Sequence, residues 1–250
     1  GRGYVTFLNG RTVYCGEVVG DTNEEAMQRV QIRQTIIAHL NKEKELFNRG
    51  IKCLSLFFID EVAHYRSYDP EGREVKGKFQ QMFEEEYARI VNEYITLFDT
   101  PYDRYLRRFG PSEIHNGYFS IDKKGRAVNS DTKRGSDLSD DVSAYDLILR
   151  NKERLLSFDE PTRFIFSHSA LREGWDNPNV FQICTLRHSN STTAKRQEVG
   201  RGLRICVDCN GVRQDKDLLG DDVHQVNLLT VIANESYAAF STGLQRETRE

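Results

Sequence analysis

Hydrophobic residues in this chain fall into short, mainly apolar runs and longer stretches with helical spacing. The apolar runs cover 53–59, 163–166 and 180–186, and their polar residues are Ser55, Arg163, Gln182 and Thr185. Runs of this length predict strands buried on both faces, which is typical of the middle of a parallel sheet. The chain should therefore contain a covered parallel sheet.

Helical spacing predicts two long helices. The first covers 23–49, starts among capping residues and ends near Gly50, with an apolar stripe expected to pack in the core at Met27, Val30, Ile37, Leu40 and Phe47. The second covers 79–98 and is stopped by Pro101. Its aromatic stripe favours core packing over a platform for nucleobases: Phe79, Phe83, Tyr87, Ile90, Tyr94 and Phe98.

Weaker patterns complete the chain. We predict an N-terminal hairpin of two short strands around an Asn-Gly turn at 9–10. The remaining predictions are a strand at 117–121, a flexible polar loop at 122–141, a helix at 142–158, a strand at 226–232 and a helix at 235–250. The mixture of buried strands and helices predicts an α/β fold.

Composition limits the class of protein. A chain of 250 residues with 29% charged and 38% hydrophobic residues is typical of a globular protein with one large or two small domains. No apolar run approaches the ~20 residues of a membrane span, and no secretory pattern opens the chain, so we expect an intracellular protein without a membrane partner. Five cysteines at irregular spacing favour reduced thiols.

A basic segment between 187 and 213 carries six Lys/Arg against two Asp/Glu, although the net charge of the chain is −3. Within it, Gln197, Gly200, Arg201 and Arg204 follow the spacing Q-x-x-G-R-x-x-R. On a helix, positions 197, 201 and 204 share one face. Two guanidiniums and an amide on one face suit a polyphosphate, and paired arginines can stabilise a phosphoryl transition state. The alternative is a solvated basic helix, but the glycines at 200 and 202 are poor helix formers unless the backbone must approach a neighbour closely.

A second candidate segment lies between two of the predicted strands. The loop at 169–176 reads Ser-Ala-Leu-Arg-Glu-Gly-Trp-Asp and is closed by Asn177-Pro178. Open α/β sheets bind ligands at the carboxyl ends of their strands. A strand, a polar loop, a strand and an arginine helix therefore indicate a nucleotide site.

Three other motifs are weaker candidates. Gly72 to Phe79 nearly matches a phosphate loop, but it follows a polar segment and lacks the final hydroxyl. Asp60-Glu61 resembles an acidic nucleotide-hydrolysis box, yet no phosphate loop precedes it. Cys206 and Cys209 form a lone C-x-x-C, for which zinc would need two more ligands, with His188 and His224 as distant possibilities. We predict no metal site in these residues.

The two candidate segments resemble known helicase motifs. Residues 169–176 are similar to motif V, and residues 197–204 to motif VI, of superfamily 2 helicases and translocases. The stretch 166–186 resembles the Res subunits of type III restriction enzymes still more closely, and the resemblance extends back through 31–33, 50–62 (similar to motif IV) and 117–120.

This resemblance implies a RecA-like, P-loop NTPase-type α/β domain, a mostly parallel sheet with helices on both faces. Residues 1–250 would form the second such domain of a helicase core. Motif IV would place Asp60 and Glu61 at a strand end near the interdomain cleft. ATP and Mg²⁺ would bind jointly with a first RecA-like domain of the same protein, which carries the phosphate loop.

The resemblance also implies roles for individual residues. Arg201 and Arg204 would reach the β- and γ-phosphates across the cleft, and Gln197 would orient Arg201 or the γ-phosphate region. The remaining candidates are Gly174, Asp176 and Gly200 at the nucleotide, with Asp176 near the ribose, and Ser169 and Arg172 at the DNA backbone.

For the whole protein, the resemblance implies an ATP-dependent, site-specific endonuclease of a restriction-modification system that hydrolyses ATP and translocates on double-stranded DNA. Its partner would be a Mod methyltransferase subunit in a prokaryotic cytoplasm. The segment contains no convincing nuclease constellation, so we expect the nuclease after residue 250 and expect this chain alone to be inactive. Two alternatives stay open: a degenerate RecA-like scaffold that binds DNA or a partner, and a different superfamily 2 repair translocase.

Overall fold

The computed structural model describes residues 4–6, 12–14, 24–95, 99–121, 126–129, 152–168, 177–187, 196, 199–200 and 202–232. Its helices are α1 (Glu24–Phe47), α2 (Lys78–Tyr94), α3 (Pro101–Arg107), α4 (Lys152–Leu156), α5 (Lys216–Leu219) and α6 (Val223–Val226). Its strands are β1 (Tyr4–Thr6), β2 (Thr12–Tyr14), β3 (Leu54–Phe58), β4 (Arg66–Tyr68), β5 (Glu74–Lys76), β6 (His115–Tyr118), β7 (Ser120–Ile121), β8 (Ala127–Val128), β9 (Phe164–Ser167), β10 (Val180–Thr185) and β11 (Thr230–Ile232).

The central feature is a parallel sheet with the strand order β11-β10-β3-β9-β6. Leu56 in the middle strand pairs with Ile165 on one side and Ile183 on the other. Every residue of β3, β9 and β10 is buried. The three strands predicted from apolar runs are therefore confirmed. Because the strands are parallel, their first residues share one edge and their last residues the other, here called the amino edge and the carboxyl edge.

Alternate residues of the sheet face two separate cores. On one face, Phe57 and Phe166 pack with residues of α1, α2 and α3. On the other face, Leu56 and Ile183 pack with Leu155 of α4. Helices thus lie on both faces of a parallel sheet. This RecA-like α/β arrangement confirms the predicted fold class.

The long helix α1 forms as predicted, but its buried face differs from the prediction. Met27 and Val30 are 47% and 46% exposed. The buried face instead includes polar residues: Gln28, Thr35, His39, Lys42 and Glu43, beside Ile32, Ile36, Leu40 and Leu46. Some of these polar groups have partners on or beside the sheet, and the Nδ1 of His39 lies 2.8 Å from the hydroxyl of Ser55 in β3. For example, the Gln28 side-chain amide donates to the carbonyl of Leu186 at 3.1 Å. The prediction was wrong for Met27 and Val30, because the face of α1 that packs is the one whose polar residues form buried hydrogen bonds and not the one that carries these two residues.

A buried ion pair joins α1 to the start of β9. The Nη1 of Arg163 lies 2.8 Å from Oε2 of Glu43, and the two side chains are 1% and 0% exposed. The Tyr102 hydroxyl donates to the same carboxylate oxygen at 3.0 Å. Burial alone would raise the pKa of Glu43, but the charge of Arg163 and the contact with His39 outweigh it and lower that pKa to about 2. Burial lowers the pKa of His39.

The segment that resembles a phosphate loop is a hairpin. Strands β4 and β5 pair antiparallel, and Gly77 then begins α2 with its N–H donated to the carbonyl of Tyr65 at 2.8 Å. A Cβ at Gly77 would lie 2.4 Å from the backbone carbonyl of His64. This glycine is therefore needed for close backbone packing, which explains the motif without a phosphate.

Helix α2 confirms the second long helical pattern, with Phe79, Phe83, Tyr87 and Ile90 buried. It ends at Tyr94, and Phe98 lies outside the described residues. Pro101, predicted only to stop a helix, begins the unpredicted α3, which is capped by Thr100 in a reciprocal capping box with Asp103.

The other predictions have mixed outcomes. The N-terminal hairpin is confirmed, since β1 pairs antiparallel with β2. Within the predicted loop at 122–141, the described part holds β8, which pairs with β7. Of the helix predicted at 142–158, only α4 is described, and 235–250 lies outside the described residues. The strand predicted at 226–232 is shorter, because Val226 ends α6 and β11 begins at Thr230. A membrane-crossing helix is not found in the described part of the chain, whose helices lack the necessary length and apolar character.

Candidate nucleotide and nucleic-acid site

The structure describes the frame around the motif V loop. Strand β9 ends at Ser167 on the carboxyl edge, and the chain resumes at Asn177 before β10. The predicted residues of the loop itself lie outside the described residues: Ser169, Arg172, Gly174 and Asp176. Their proposed roles stay predictions, while the strand before them and the strand after them are confirmed.

Polar contacts organise the carboxyl edge on both sides of this loop. The Arg187 guanidinium, just after β10, donates to the carbonyl of His168, just after β9, at 3.1 Å. From α1, the amide of Gln31 donates to the carbonyl of Thr185 at 3.2 Å. Gln31 belongs to a segment with family resemblance. The contacts hold the ends of β9 and β10 in register at the edge where α/β sheets bind ligands.

Two carboxylates that the sequence singled out, Asp60 and Glu61, follow β3 at the same edge. The Oδ1 of Asp60 lies 2.7 Å from the Nδ1 of His64, and both side chains are partly exposed. The neighbouring Val62 N–H donates to the side-chain carbonyl of Asn129 at 2.7 Å. These residues therefore end a sheet strand, as predicted from the resemblance to motif IV.

The described part of motif VI packs its backbone on the sheet. Arg196, Val199 and Gly200 are helical, whereas Gln197 and Arg201 lie outside the described residues. A Cβ at Gly202 would lie 2.5 Å from Cδ1 of Leu229 and 3.2 Å from Cδ1 of Ile183. The second glycine of the motif thus permits the close approach that the sequence pattern suggested.

Arg204 lies between two anchored positions on this segment. Gly202 is buried on one side of it, and Cys206 is fully buried on the other. The Cys206 N–H donates to the side chain of Asn227 at 2.8 Å. Arg204 itself is exposed. A guanidinium held outward on a fixed backbone is suited to meet an anion supplied by another surface.

Asn179 connects the two motifs, and the sequence analysis missed it. Its Nδ2 donates to the carbonyls of Lys52 and Val207 at 3.0 and 2.8 Å, and its Oδ1 accepts from the N–H of Val207 at 2.9 Å. Asn179 is fully buried. It therefore ties the starts of β3 and β10 to the segment after motif VI. The sequence signal was Asn177-Pro178-Asn179, which we interpreted only as the end of a loop.

The two cysteines after motif VI differ in environment. Cys206 is buried and Cys209 is exposed, and burial raises the pKa of the Cys206 thiol to about 12. Among the described residues, no group of three His, Cys, Asp or Glu side chains is placed to hold a metal ion. The prediction about His188 is not tested, because that residue lies outside the described ranges.

Comparisons with known proteins agree on one family. The chain is 45% identical over 181 residues to the type III restriction-modification enzyme EcoP15I Res subunit of Escherichia coli. It is 40% identical over 213 residues to the EcoPI Res subunit of Escherichia phage P1, and 37% identical over 220 residues to the StyLTI Res subunit of Salmonella typhimurium. These matches cover 70%, 83% and 78% of this chain but 17%, 20% and 21% of the three relatives. The chain thus spans about a fifth of their length. No protein-family model matches it.

Proposed function

We propose that this chain is the second motor domain of an ATP-dependent DNA translocase. The basis is that the chain belongs to the Res subunits of type III restriction-modification enzymes. In this proposal it shares an ATP and Mg²⁺ site with a first RecA-like domain elsewhere in the same protein. The complete enzyme is a hydrolase that couples ATP turnover to movement on double-stranded DNA and cuts DNA in a separate nuclease domain.

The observation that carries this proposal is the placement of Arg204. Its side chain is exposed on a backbone that Gly202 and Cys206 hold against the sheet. An arginine finger must reach a phosphate with little loss of conformational freedom, so a rigid support favours this role. Arg201 acts beside it, and Gln197 orients Arg201 or the γ-phosphate region.

The motif V loop is proposed to contact both ligands. Gly174 and Asp176 of this loop lie at the nucleotide, together with Gly200 of motif VI, and Ser169 and Arg172 contact the phosphate backbone of DNA. The support for this placement is the frame of the loop: β9 delivers it at the carboxyl edge, and the Arg187–His168 contact fixes the neighbouring strand end. A Mod methyltransferase subunit is the proposed partner that reads the DNA sequence.

The test is the ATPase activity of the full Res subunit that contains this segment, measured in complex with Mod and with and without double-stranded DNA. Arg204→Ala should lower turnover by about 10³-fold or more while ATP still binds, because an arginine finger acts in the transition state. Arg213→Ala is the matched control, since it removes an exposed arginine nine residues further along the same segment.

Unchanged turnover in Arg204→Ala would contradict the proposal and favour a scaffold that has lost its motor. The segment alone should show no ATPase activity, because the proposed site is shared with another domain. Turnover by the 250-residue chain alone would also contradict the shared-site proposal.

A further inference from the structure

A second candidate site is a cavity of about 830 Å³ at the amino edge of the sheet, the edge opposite the carboxyl ends of β9 and β10. Gly50, in its wall, precedes β3, and Phe158 precedes β9. The N–H of Cys209, a third wall residue, donates to the carbonyl of Gly50 at 2.8 Å. Because Gly50 and Phe158 come before their strands rather than after them, the cavity is separate from the carboxyl ends of β9 and β10, where the motif V loop begins and ends.

The wall of the cavity carries three guanidiniums on one helix. Arg104 and Arg107 are on α3 and Arg108 caps its C-terminus, and all three line the cavity. Their side chains are 60%, 44% and 49% exposed. Residues three and four apart share a helix face, so the three positive charges converge. One carboxylate, that of Asp99, lines the same cavity.

Two carboxylates hold these guanidiniums at the rim. Asp99 pairs with Arg104 at 3.2 Å and with Arg107 at 2.6 Å. Asp159 pairs with Arg108 at 2.8 Å and is 81% exposed. Asp99 also has a φ of 46°, the left-handed region that non-glycine residues seldom adopt and that is enriched at ligand sites. Exposed pairs of this kind are weak, so a stronger anion can displace them.

Three aromatic rings form the apolar part of the wall. The ring centroid of Phe47 lies 5.2 Å from that of Tyr105 and 5.3 Å from that of Phe158, and the last two are 5.4 Å apart. Mutual contacts at these distances hold each ring in place. The cavity therefore combines a preformed aromatic wall with a cluster of guanidiniums.

This combination fits a ligand with a multivalent anion and a flat ring. A phosphate offers three acceptor oxygens, which suits converging guanidiniums better than the two oxygens of a carboxylate. A nucleobase presents a flat face that packs on aromatic side chains. The volume falls within the roughly 300–1,000 Å³ range of small-ligand sites.

We propose that this amino-edge cavity binds a nucleotide unit, with its phosphate on Arg104, Arg107 and Arg108 and its base against Phe47 and Phe158. The unit comes either from a free nucleotide or from a DNA strand. The site is distinct from the motor site, and it gives the domain a second contact with nucleic acid or nucleotide.

The experiment measures binding of deoxyadenosine monophosphate and of a 5′-phosphorylated single-stranded octanucleotide to the 250-residue chain. The double variant Arg104→Gln/Arg107→Gln should weaken both by at least about tenfold, the loss expected for charge-assisted hydrogen bonds. Arg73→Gln is the matched control, because Arg73 is an exposed arginine paired with Asp69 and Glu71 on a distant hairpin. The Arg73→Gln variant should bind both nucleotides with the affinity of the unmodified chain.

A second readout locates the ligand. Cys209 is exposed in the cavity wall, so bound nucleotide should slow its labelling by a maleimide, followed by peptide mass spectrometry. Phe158→Leu, which keeps an apolar side chain, should reduce affinity for the mononucleotide but not for inorganic phosphate. This variant tests the base contact even if the double arginine variant fails to fold.

The outcomes separate the sources of the ligand. Stronger binding of the octanucleotide supports a DNA strand, and equal binding supports a free nucleotide. Unchanged affinity in the double arginine variant, or labelling of Cys209 that bound nucleotide does not slow, overturns the proposal. Tighter binding of an acidic peptide than of either nucleotide also overturns it and makes the cavity a protein-docking site.

Discussion

The buried ion pair between Glu43 and Arg163 provides a sharp test of the packing. With side chains 0% and 1% exposed, neither charge can be solvated if the other is removed. Arg163→Met leaves the carboxylate with only the weaker contacts from Tyr102 and His39. Breaking such a pair costs about 3–5 kcal/mol. That is a large part of the roughly 5–15 kcal/mol that stabilises a typical domain.

The double variant Glu43→Leu/Arg163→Met should behave differently. Replacement of both charged groups by apolar groups often leaves the free energy of unfolding nearly unchanged. We therefore expect the free energy of unfolding of the double variant to lie within about 2 kcal/mol of that of the unmodified chain. Independent effects would instead sum to roughly 6–10 kcal/mol, twice the single loss. The assay is urea unfolding of the 250-residue chain. The urea concentrations at the unfolding midpoint are compared between variants whose unfolding free energy has the same dependence on urea concentration.

An exposed pair supplies the control for this cycle. Arg108 and Asp159 approach to 2.8 Å with side chains 49% and 81% exposed. Arg108→Met and Asp159→Leu should each cost less than about 1 kcal/mol of unfolding free energy. The reasoning fails if Arg163→Met is equally mild, or if the losses in the Glu43/Arg163 double variant simply add.

Three further predictions concern pH, backbone packing and the link between the motifs. Burial lowers the pKa of His115 to about 4, so the contribution of the neutral imidazole to the free energy of unfolding should be full above pH 6.5. It should fall by about 3 kcal/mol as the pH drops to 4, which acid unfolding curves measure, and His115→Gln should remove this pH dependence. Gly77→Ala should lower the free energy of unfolding by about 1–3 kcal/mol, measured by thermal unfolding, because the added methyl group clashes with the backbone of His64. Gly200→Ala should lower it much less, because no atom lies within 4 Å of the added methyl group. Asn179→Ala should cost about 2–4 kcal/mol and speed hydrogen exchange at the Val207 amide, and unchanged exchange there would contradict its proposed linking role.

The sheet could be predicted from sequence because its strands carry their own signal. Residues 53–59 are apolar except for Ser55, and such a run is typical of a strand buried on both faces. The sequence analysis predicted a mostly parallel sheet but no order of its strands, because composition does not identify which strands are neighbours. Strand β11 was placed too early because Val226 is equally apolar in a short helix.

The face of α1 could not be predicted by the same means. Met27 and Val30 match helical spacing, yet the face that packs is the one bearing Gln28 and Glu43. The partners of those residues, Leu186 and Arg163, lie more than a hundred residues away in sequence. A periodic pattern records only apolar character, so it misses a helix face held by distant hydrogen bonds.

The candidate site shows the same limit. Arg204 and Gly200 were identified through a motif, and the structure places them on a packed segment. The roles of all the site residues, Arg204 and Gly200 included, stay predictions. Six of them also lie outside the described ranges: Ser169, Arg172, Gly174, Asp176, Gln197 and Arg201. Asn179 was missed because its importance depends on Val207 and Lys52, which only the fold brings beside it.

The central position of β3 has a consequence for synthesis of the protein. Its two neighbours in the sheet, β9 and β10, begin at Phe164 and Val180, more than a hundred residues later. At about 5–20 residues per second, a ribosome takes roughly 5–21 seconds to extend the chain from β3 to β9, the first of these two partners to be made. During that interval the apolar run at 53–59 has neither strand partner, and such a segment is prone to intermolecular strand pairing. The nascent chain therefore depends on α1 and α2, which are made locally and early, or on a chaperone to cover the strand until the second half emerges.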